Sequence, residues 1–172
     1  MKKLLIALAS AAVLTLSAAE TPAAVNKVLN RNWYALRSKT AGEVVNIDKK
    51  TGLIEVVNVG KDAKGKDTCT GAVQGINLNQ TSPRAVKVGV ECKAEDVKGA
   101  KSNNFALYMD VFFMDGKPLY GQCIQFTPGT HDWEKLEKTF TFPKPVKSIN
   151  FYIFLRYNTG KASFRNIYLN EL

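Results

Sequence analysis

The strongest constraint on the fold of this chain is a period of two in two segments, where every second residue is apolar. In the first segment, residues 86–93, every second residue is apolar, namely Val86, Val88, Val90 and Cys92. In the second segment, Phe105 to Met114, all the odd-numbered residues are apolar. Because successive side chains of a β-strand point to opposite faces, this period of two predicts two strands with one buried face each. No stretch shows the 3.6-residue period of an amphipathic helix.

Other short apolar runs, separated by turn residues, extend this pattern along the chain. The runs are residues 33–37, 44–48, 53–59, 73–80, 119–126, 135–142, 149–156 and 162–169. Lys49 to Gly52 is predicted to join two of them as a hairpin, and Asp115-Gly116 is a strong hairpin signal. Residues 60–70 and 95–104 are predicted to be loops, and Pro128 to Thr130 a turn. Strands of this length and spacing predict an all-β protein with two antiparallel sheets.

Composition and charge exclude several classes of protein. The chain has 172 residues, of which 45% are hydrophobic and 23% charged. This is the composition of a globular protein of one or two domains, not of a disordered or collagen-like chain. The single histidine, His131, argues against a multi-histidine metal site or a catalytic histidine network. We find no basic helix and no nucleic-acid-binding motif, so no nucleic acid partner is expected.

The N-terminal segment has the layout of a secretory signal peptide. Lys2 and Lys3 give it a positive start, residues 4–16 are mainly apolar, and Ala19 ends a run of small residues. The apolar run is shorter than a membrane span. We therefore expect cleavage after Ala19.

Cleavage defines the expected organisation and location of the mature protein. Residues 1–19 are removed, residues 20–32 form a lead-in, and residues 33–172 form one β-sandwich domain. The mature protein is expected in a periplasm or secreted, with no membrane attachment. Loss of Lys2 and Lys3 lowers the formal net charge from +9 to +7, which suits an acidic polysaccharide as a partner. The lysines are nevertheless scattered, as they are on an ordinary soluble surface.

The three cysteines are compatible with two redox states. Export permits disulfides, but an odd number leaves at least one thiol unpaired within a monomer. Cys92 continues the apolar face of its strand and is predicted to be buried as a small hydrophobic residue. A Cys69–Cys123 disulfide and three reduced cysteines both fit these counts.

A family resemblance appears in the second half of the chain. The segments that carry it are Tyr120-Gly121-Gln122, Phe126 to Trp133, Pro143 to Val146, Phe151 to Arg156, Thr159-Gly160 and Phe164 to Ile167. Together they resemble the jelly-roll carbohydrate-binding modules of the galactose-binding-like group, which often accompany bacterial polysaccharide-degrading enzymes. Trp33-Tyr34 and Gln74 to Ala94 extend the resemblance over most of the mature chain. The resemblance implies a two-sheet antiparallel jelly-roll β-sandwich and a non-catalytic carbohydrate-binding function.

One departure from the family pattern concerns metal binding. Such modules commonly have Phe-Asp-Asp-Val on the last strand, where an Asp can help to hold a structural calcium ion. Here the matching residues are Phe164 to Ile167, and Arg165 stands in place of one carboxylate. Calcium takes about 6 to 8 oxygen ligands, usually including carboxylates. We therefore expect no metal and no cofactor, with Glu43 and backbone carbonyls as the remaining ligands if calcium does bind.

The candidate ligand-binding residues lie on the polar faces of two predicted strands. Sugar rings present apolar C–H faces surrounded by hydroxyls, so a site for them combines aromatic rings with hydrogen-bonding groups. One strand offers Tyr108 and Asp110, and another offers Tyr152 and Arg156. If the strands share a sheet, the tyrosines would stack on a sugar while Asp110 and Arg156 bind its hydroxyls. Arg156 would also suit a carboxylate or a sulfate. The alternative is a structural ion pair between Asp110 and Arg156.

Further aromatic and polar residues are weaker candidates. Tyr120 and Gln122 are added to the ligand-binding set, although the position of Tyr120 in its strand fits a core residue equally well. Trp133 and His131 are expected to close one end of the sandwich. Trp33 fits either the core or the binding surface.

The leading hypothesis is therefore an exported carbohydrate-binding domain without catalytic residues. A glycosidase needs two carboxylates about 5 to 10 Å apart, and Asp110 has no evident partner at a fixed spacing. The chain also lacks a G-x-S-x-G elbow, a P-loop and an H-E-x-x-H helix. The alternative function is a structural or adhesion β-sandwich that binds another protein.

Overall fold

The computed structural model describes residues 25–36 and 40–172. The predicted signal peptide, residues 1–19, and the first part of the lead-in lie outside these ranges. In the described part of the chain, the helical structure is one short 3-10 turn, Asn30–Asn32. No helix of this part is long and apolar enough to cross a membrane.

The described strands form two antiparallel five-stranded sheets. They are β1 (Tyr34–Leu36), β2 (Val44–Ile47), β3 (Ile54–Asn58), β4 (Cys69–Asn77), β5 (Val86–Val97), β6 (Phe105–Phe113), β7 (Pro118–Gln125), β8 (Gly129–Phe140), β9 (Val146–Arg156) and β10 (Gly160–Glu171). Sheet A has the strand order β1-β4-β9-β6-β7, and sheet B has the order β2-β3-β10-β5-β8. The predicted two-sheet antiparallel β-sandwich is confirmed.

The core lies between the two sheets and is built by the alternation seen in the sequence. In β6, Phe105, Leu107 and Met109 are completely buried, and in β5 Val88 and Cys92 are completely buried. The burial predicted for Cys92 is thus confirmed. Burial of each large apolar side chain stabilises the fold by roughly 1.5–3 kcal/mol.

Trp33 belongs to this core and not to the surface. Its side chain is buried, and its ring centroid lies 6.0 Å from that of Phe151 in β9. This settles the choice that the sequence left open for Trp33.

The predicted hairpins form, but several strands are longer than predicted. β2 pairs with β3, and β6 pairs with β7 across the Asp115-Gly116 turn. β4 begins at Cys69 and β5 continues to Val97, so parts of both predicted loops are strand.

The largest difference is in β8, which begins at Gly129 where a turn was predicted. Residues 129–134 are mostly polar, and the apolar alternation that predicts strands is absent from them. They pair with β5 at the edge of sheet B through two register shifts, where an exposed strand needs no apolar face.

The alternative of a Cys69–Cys123 disulfide is not realised, since Cys69, Cys92 and Cys123 are all free. Cys69 lies on β4 and Cys123 on β7, with β9 and β6 between them in sheet A. Neighbouring strands are about 4.8 Å apart, so these two cysteines are separated by roughly 14 Å across the sheet. A disulfide needs Cα atoms within about 7 Å of each other.

Candidate functional site

The two sheets carry different chemistry on their outer faces, the faces turned away from the core. On sheet A, the outer face is rich in aromatic residues, which are Tyr34, Tyr108, Phe112, Tyr120, Tyr152 and Phe154. On sheet B, the outer face carries ion pairs, which include Lys87–Glu137, Lys161–Glu95 and Arg165–Glu91. Paired surface charges are typical of a solvated surface. An aromatic face is typical of a surface that binds something.

Tyr108 and Tyr152 lie side by side at the centre of the outer face of sheet A. They are direct partners on the neighbouring strands β6 and β9. Their ring centroids are 6.1 Å apart and their planes meet at 66°, which is an edge-to-face arrangement. Burial raises the pKa of both phenols, and the negative charge of Asp110 raises it further. Both rings therefore stay neutral near pH 7.

Phe154 forms the floor between these rings and the end of the sheet. Its ring centroid lies 5.7 Å from that of Tyr108 and 6.3 Å from that of Tyr152, and the side chain is buried. It lies across from Gly71 of β4. A Cβ atom at Gly71 would lie 2.5 Å from the Phe154 Cβ, so the glycine leaves room for the close approach of Phe154.

Asp110 is placed beside the tyrosines by a β-bulge. In the β6–β7 pairing, Met109 is opposite Gln122 and Val111 is opposite Leu119, so Tyr120 and Gly121 together face Asp110 alone. Gly121 has a φ of +79°, which a glycine adopts without strain. The Gly121 amide and the Tyr108 hydroxyl lie close enough to the Asp110 carboxylate to lower its pKa through hydrogen bonding.

The Asp110 carboxylate retains an unused acceptor. Its Oδ1 is buried and has no hydrogen-bond partner in the described part of the chain. Burial raises the pKa of Asp110, while the hydrogen bonds from Tyr108 and Gly121 and the charge of Arg156 oppose this rise. An unsatisfied buried acceptor costs about 1–3 kcal/mol. A ligand hydroxyl that reaches this oxygen would remove this cost.

Arg156 lies at the other end of the same surface, at the end of β9. Its backbone N–H and its Nε donate to Asn104, at 2.8 Å to the carbonyl oxygen and 3.0 Å to Oδ1. Its guanidinium lies near three aromatic rings, 5.1 Å from the centroid of Phe154, 5.6 Å from that of Tyr157 and 6.0 Å from that of Tyr108. Within residues 25–36 and 40–172, it forms no ion pair with Asp110. The alternative of a structural Asp110–Arg156 pair is therefore not what the structure shows.

A surface pocket of about 240 Å³ joins these elements. It is lined by Leu36, Cys69, Tyr108, Asp110, Tyr152, Phe154 and Arg156. Four of the six predicted ligand-binding residues are thus brought together in one place.

The other two predicted residues lie outside this pocket. Tyr120 is on the same face as Tyr108, is 61% exposed, and packs edge-to-face against Phe112 with ring centroids 6.4 Å apart. Gln122 is paired with the buried Met109, which places it on the core-facing side of β7. The bulge turns Tyr120 outward and leaves Gln122 on the opposite side of the strand.

The pocket also contains residues that the sequence interpretation did not select. Leu36 and Cys69 come from the edge strand β1 and its neighbour β4, and their role depends on pairings between distant segments. Phe154 shares the face of Tyr152 and Arg156 by simple alternation, which is a signal that the sequence does contain. Asn104 holds Arg156 from the residue just before β6.

Trp133 and His131 make structural contacts outside the pocket, and Trp133 packs on the outer face of sheet B instead of closing an end of the sandwich. The Arg165 guanidinium lies 3.9 Å from the centroid of the Trp133 ring, and its Nε donates to Glu91 Oε2 at 2.7 Å. The His131 ring lies 2.9 Å from the Thr127 carbonyl oxygen through Nε2. These contacts fix the start of β8, an edge strand of sheet B, and they lie away from the pocket.

Arg165, which stands where the modules that the sequence resembles commonly have an Asp, thus has a structural role of its own. Among the described residues, no group of three or more His, Cys, Asp or Glu side chains is close enough to hold a metal ion.

Known proteins resemble this chain in three-dimensional structure, whereas comparisons of sequence find no match. No family model matches the chain, and no curated protein matches it. The family 11 carbohydrate-binding module of the cellulosomal cellulase Lic26A-Cel5E of Clostridium thermocellum superposes with a TM-score of 0.50 at 18% identity, over 90% of this chain and 97% of that one. TmCBM61, solved in complex with β-1,4-galactotriose, gives a TM-score of 0.51 at 13% identity, over 86% of this chain and 99% of that one.

A larger protein contains a similar sandwich. The enzymatically active domain of tailspike protein 4 of bacteriophage CBA120 gives a TM-score of 0.55 at 12% identity over 86% of this chain. The chain covers 21% of that tailspike domain. Together these structures show that the chain has the β-sandwich fold of jelly-roll carbohydrate-binding modules, as the resemblance in its sequence implied.

Proposed function

We propose that the protein is an exported, non-catalytic carbohydrate-binding domain that holds an oligosaccharide or polysaccharide on the outer face of sheet A. The tyrosines at 108 and 152 would stack against the apolar faces of sugar rings. Asp110 and Arg156 would bind the hydroxyls or charged groups at their edges.

The observation that carries this proposal is the buried, unpartnered Oδ1 of Asp110 beside the Tyr108–Tyr152 pair. The oxygen can only accept hydrogen bonds when the carboxylate is ionised, and the neighbouring rings are apolar on their faces. A sugar combines hydroxyl donors with apolar C–H faces, so it satisfies both features at once.

The fold comparison adds independent support. Two structures that superpose over most of their own length are carbohydrate-binding modules, and one of them was solved with a bound galactotriose. The same fold hosts other functions, so the ligand has to be argued from the pocket.

The chemistry of the pocket favours binding over catalysis. Among the described residues that line it, Asp110 supplies the one carboxylate. Hydrolysis of a glycosidic bond needs a second carboxylate within about 10 Å to act as acid, base or nucleophile. Glu43, the carboxylate that acts on the Cys69 thiol, is not part of the pocket lining.

Export is proposed from the sequence of residues 1–19, with its two lysines, apolar run and small residues before Glu20. Intact mass analysis of the protein from the medium or periplasm of a host that secretes it tests this step. A chain beginning at Glu20 is expected, and retention of Met1 on an exported or membrane-bound chain would contradict cleavage.

A glycan array that includes neutral, carboxylated and sulfated polymers tests the binding function. Wild-type protein and the Tyr152→Ala variant are compared, with circular dichroism and thermal melting to confirm that both are folded. Binding that is lost in the folded variant would support the proposal.

Absence of binding to every glycan by the folded wild type would overturn the proposal. Capture of a defined protein that tolerates Tyr152→Ala would favour the adhesion function in its place.

A further inference from the structure

Arg156 is a preorganised cation that has no ion-pair partner among residues 25–36 and 40–172. Two hydrogen bonds to Asn104 fix the end of β9 and the Nε of the side chain. Rings of Tyr108, Phe154 and Tyr157 pack around the guanidinium. The side chain has therefore already lost much of the rotational freedom that a ligand would otherwise have to restrict.

Its charge acts on the Asp110 carboxylate from a distance, without a direct ion pair between the two side chains. In the described part of the chain, Arg156 forms no ion pair, and one of its five N–H groups, the Nε–H, has a protein acceptor. Arg165, the other arginine packed on an aromatic ring, is paired with Glu91 at 2.7 Å. A half-buried charge normally has a partner. The contrast between the two arginines points to an anion supplied from outside the chain.

The position of Asp110 restricts where such an anion can lie. Asp110 and Arg156 both line the pocket, and Tyr108 lies between them. A carboxylate or sulfate close to Asp110 would be repelled, whereas a hydroxyl there finds the free Oδ1. The pocket therefore has one end for a neutral, hydroxyl-bearing ring and one end for an anionic group.

We infer that the natural ligand is an acidic glycan, bound with its anionic substituent against the Arg156 guanidinium and a hydroxyl against Asp110. This inference rests on the proposed glycan-binding function and names its ligand class. The planar fork of an arginine pairs with the oxygens of a uronic acid carboxylate or of a sulfate, so either group fits the chemistry. The net charge of +7 that remains after the loss of Lys2 and Lys3 from the +9 of the whole chain attracts such polymers at long range.

The test is calorimetric titration with matched oligosaccharides. A galacturonic acid trisaccharide is compared with its methyl ester, which has the same rings without the charge, and with a sulfated galactose trisaccharide of the same length. Wild-type protein, Arg156→Gln and Arg84→Gln are titrated at two salt concentrations. Arg84 is exposed and bonded to the Leu172 carbonyl oxygen, so its variant has the same net charge as Arg156→Gln without touching the pocket.

The expected result is that wild type prefers at least one acidic trisaccharide over the neutral ester by about tenfold, the size of a charge-assisted hydrogen-bonded pair. Arg156→Gln should bring that ratio close to one, whereas Arg84→Gln should keep it. Whichever acidic trisaccharide binds identifies the source of the charge.

Two results would overturn the inference. If wild type binds the neutral ester as well as the acidic forms, and Tyr152→Ala removes that binding, the glycan-binding function holds and the acidic ligand is wrong. If Arg84→Gln reduces the preference as much as Arg156→Gln, the preference comes from net charge and not from this site. Failure of all the trisaccharides to bind, together with a negative glycan array, would remove the proposed function itself.

Discussion

Gly71 and Phe154 lie directly opposite each other on β4 and β9, and the backbone and Cβ of Phe154 occupy the space that a side chain at Gly71 would need. A Cβ atom built on Gly71 would lie 2.5 Å from the Phe154 Cβ and 2.1 Å from the Ile153 carbonyl oxygen. The floor of the pocket thus depends on a glycine that does not itself line it.

The first prediction is that Gly71→Ala destabilises the protein and weakens ligand binding. The added methyl group meets backbone atoms of β9, which cannot move without disturbing the sheet. Overpacking of this kind typically costs about 1–3 kcal/mol. Urea unfolding followed by tryptophan fluorescence measures the change.

Gly75 provides the matched control for Gly71. It lies four residues further along β4, and a Cβ atom there would have no neighbour within 4 Å. Gly75→Ala should be neutral or slightly stabilising, because it reduces the entropy of the unfolded chain. Equal destabilisation by both variants would show that the loss at Gly71 is a general effect of substituting glycine in β4.

The second prediction concerns the tyrosine pair. Tyr152→Ala should weaken glycan binding by about tenfold or more, because it removes both stacking area and the edge-to-face partner of Tyr108. Tyr152→Phe should keep most of the affinity if stacking dominates. Titration calorimetry with the tightest glycan from the array measures both.

Tyr168→Phe is the control for the loss of a tyrosine hydroxyl elsewhere. Tyr168 lies on sheet B, and its hydroxyl is hydrogen-bonded to Glu137. Its variant should leave binding unchanged. A large loss of affinity in Tyr168→Phe, with none in Tyr152→Ala, would place the ligand on sheet B and contradict the proposed site on sheet A.

The third prediction is that the protein contains no disulfide even after export into an oxidising compartment. Cys69 and Cys123 are too far apart to pair, and Cys92 is buried. Thiol titration with Ellman's reagent should find three thiols per chain in denaturant and fewer in the native state, since burial raises the pKa of all three thiols. One thiol per chain in denaturant would contradict the pairing geometry.

The sequence was sufficient to predict the sandwich and to place four residues of the candidate pocket on one face, and a bulge in β7 explains the error at Gln122. Strict alternation predicted which side of β6 and β9 faces the core, so Tyr108, Asp110, Tyr152 and Arg156 were found before their pairing was known. The extra residue at Tyr120 and Gly121 breaks the alternation in β7.

Counting along β7 therefore assigned Tyr120 and Gln122 to one face, although they lie on opposite faces. The glycine inside an apolar run is the signal that marks such a bulge. The contributions of Leu36 and Cys69 were beyond prediction, because they depend on which strands become neighbours, and that is decided by packing of the whole sandwich.

The fourth prediction is that Asp110→Asn stabilises the protein at neutral pH. Burial raises the folded-state pKa of Asp110 above its usual value of 3.8. Between that value and the raised pKa, the folded protein holds a proton that the unfolded chain has released, so this group's contribution to stability falls as pH rises. The free energy of unfolding of Asp110→Asn should equal that of wild type at pH 3 and exceed it at pH 7. A variant less stable than wild type at pH 7 would show that the ionised carboxylate is a net stabilising group.

The fifth prediction is that the same substitution weakens binding and removes its acid dependence. The ionised Oδ1 is a strong acceptor for a ligand hydroxyl, and protonation through the raised pKa of Asp110 removes it, so affinity of wild type should fall as pH drops through that range. Asp110→Asn keeps a neutral oxygen of the same shape and should bind about tenfold more weakly at pH 7, with little change on acidification. A neutral oligosaccharide is the right ligand for this profile, because it does not titrate itself. If the pH profile of Asp110→Asn follows that of wild type, the acid-sensitive group lies elsewhere, and Asp110 belongs to the stability of the sheet and not to the recognition of the sugar.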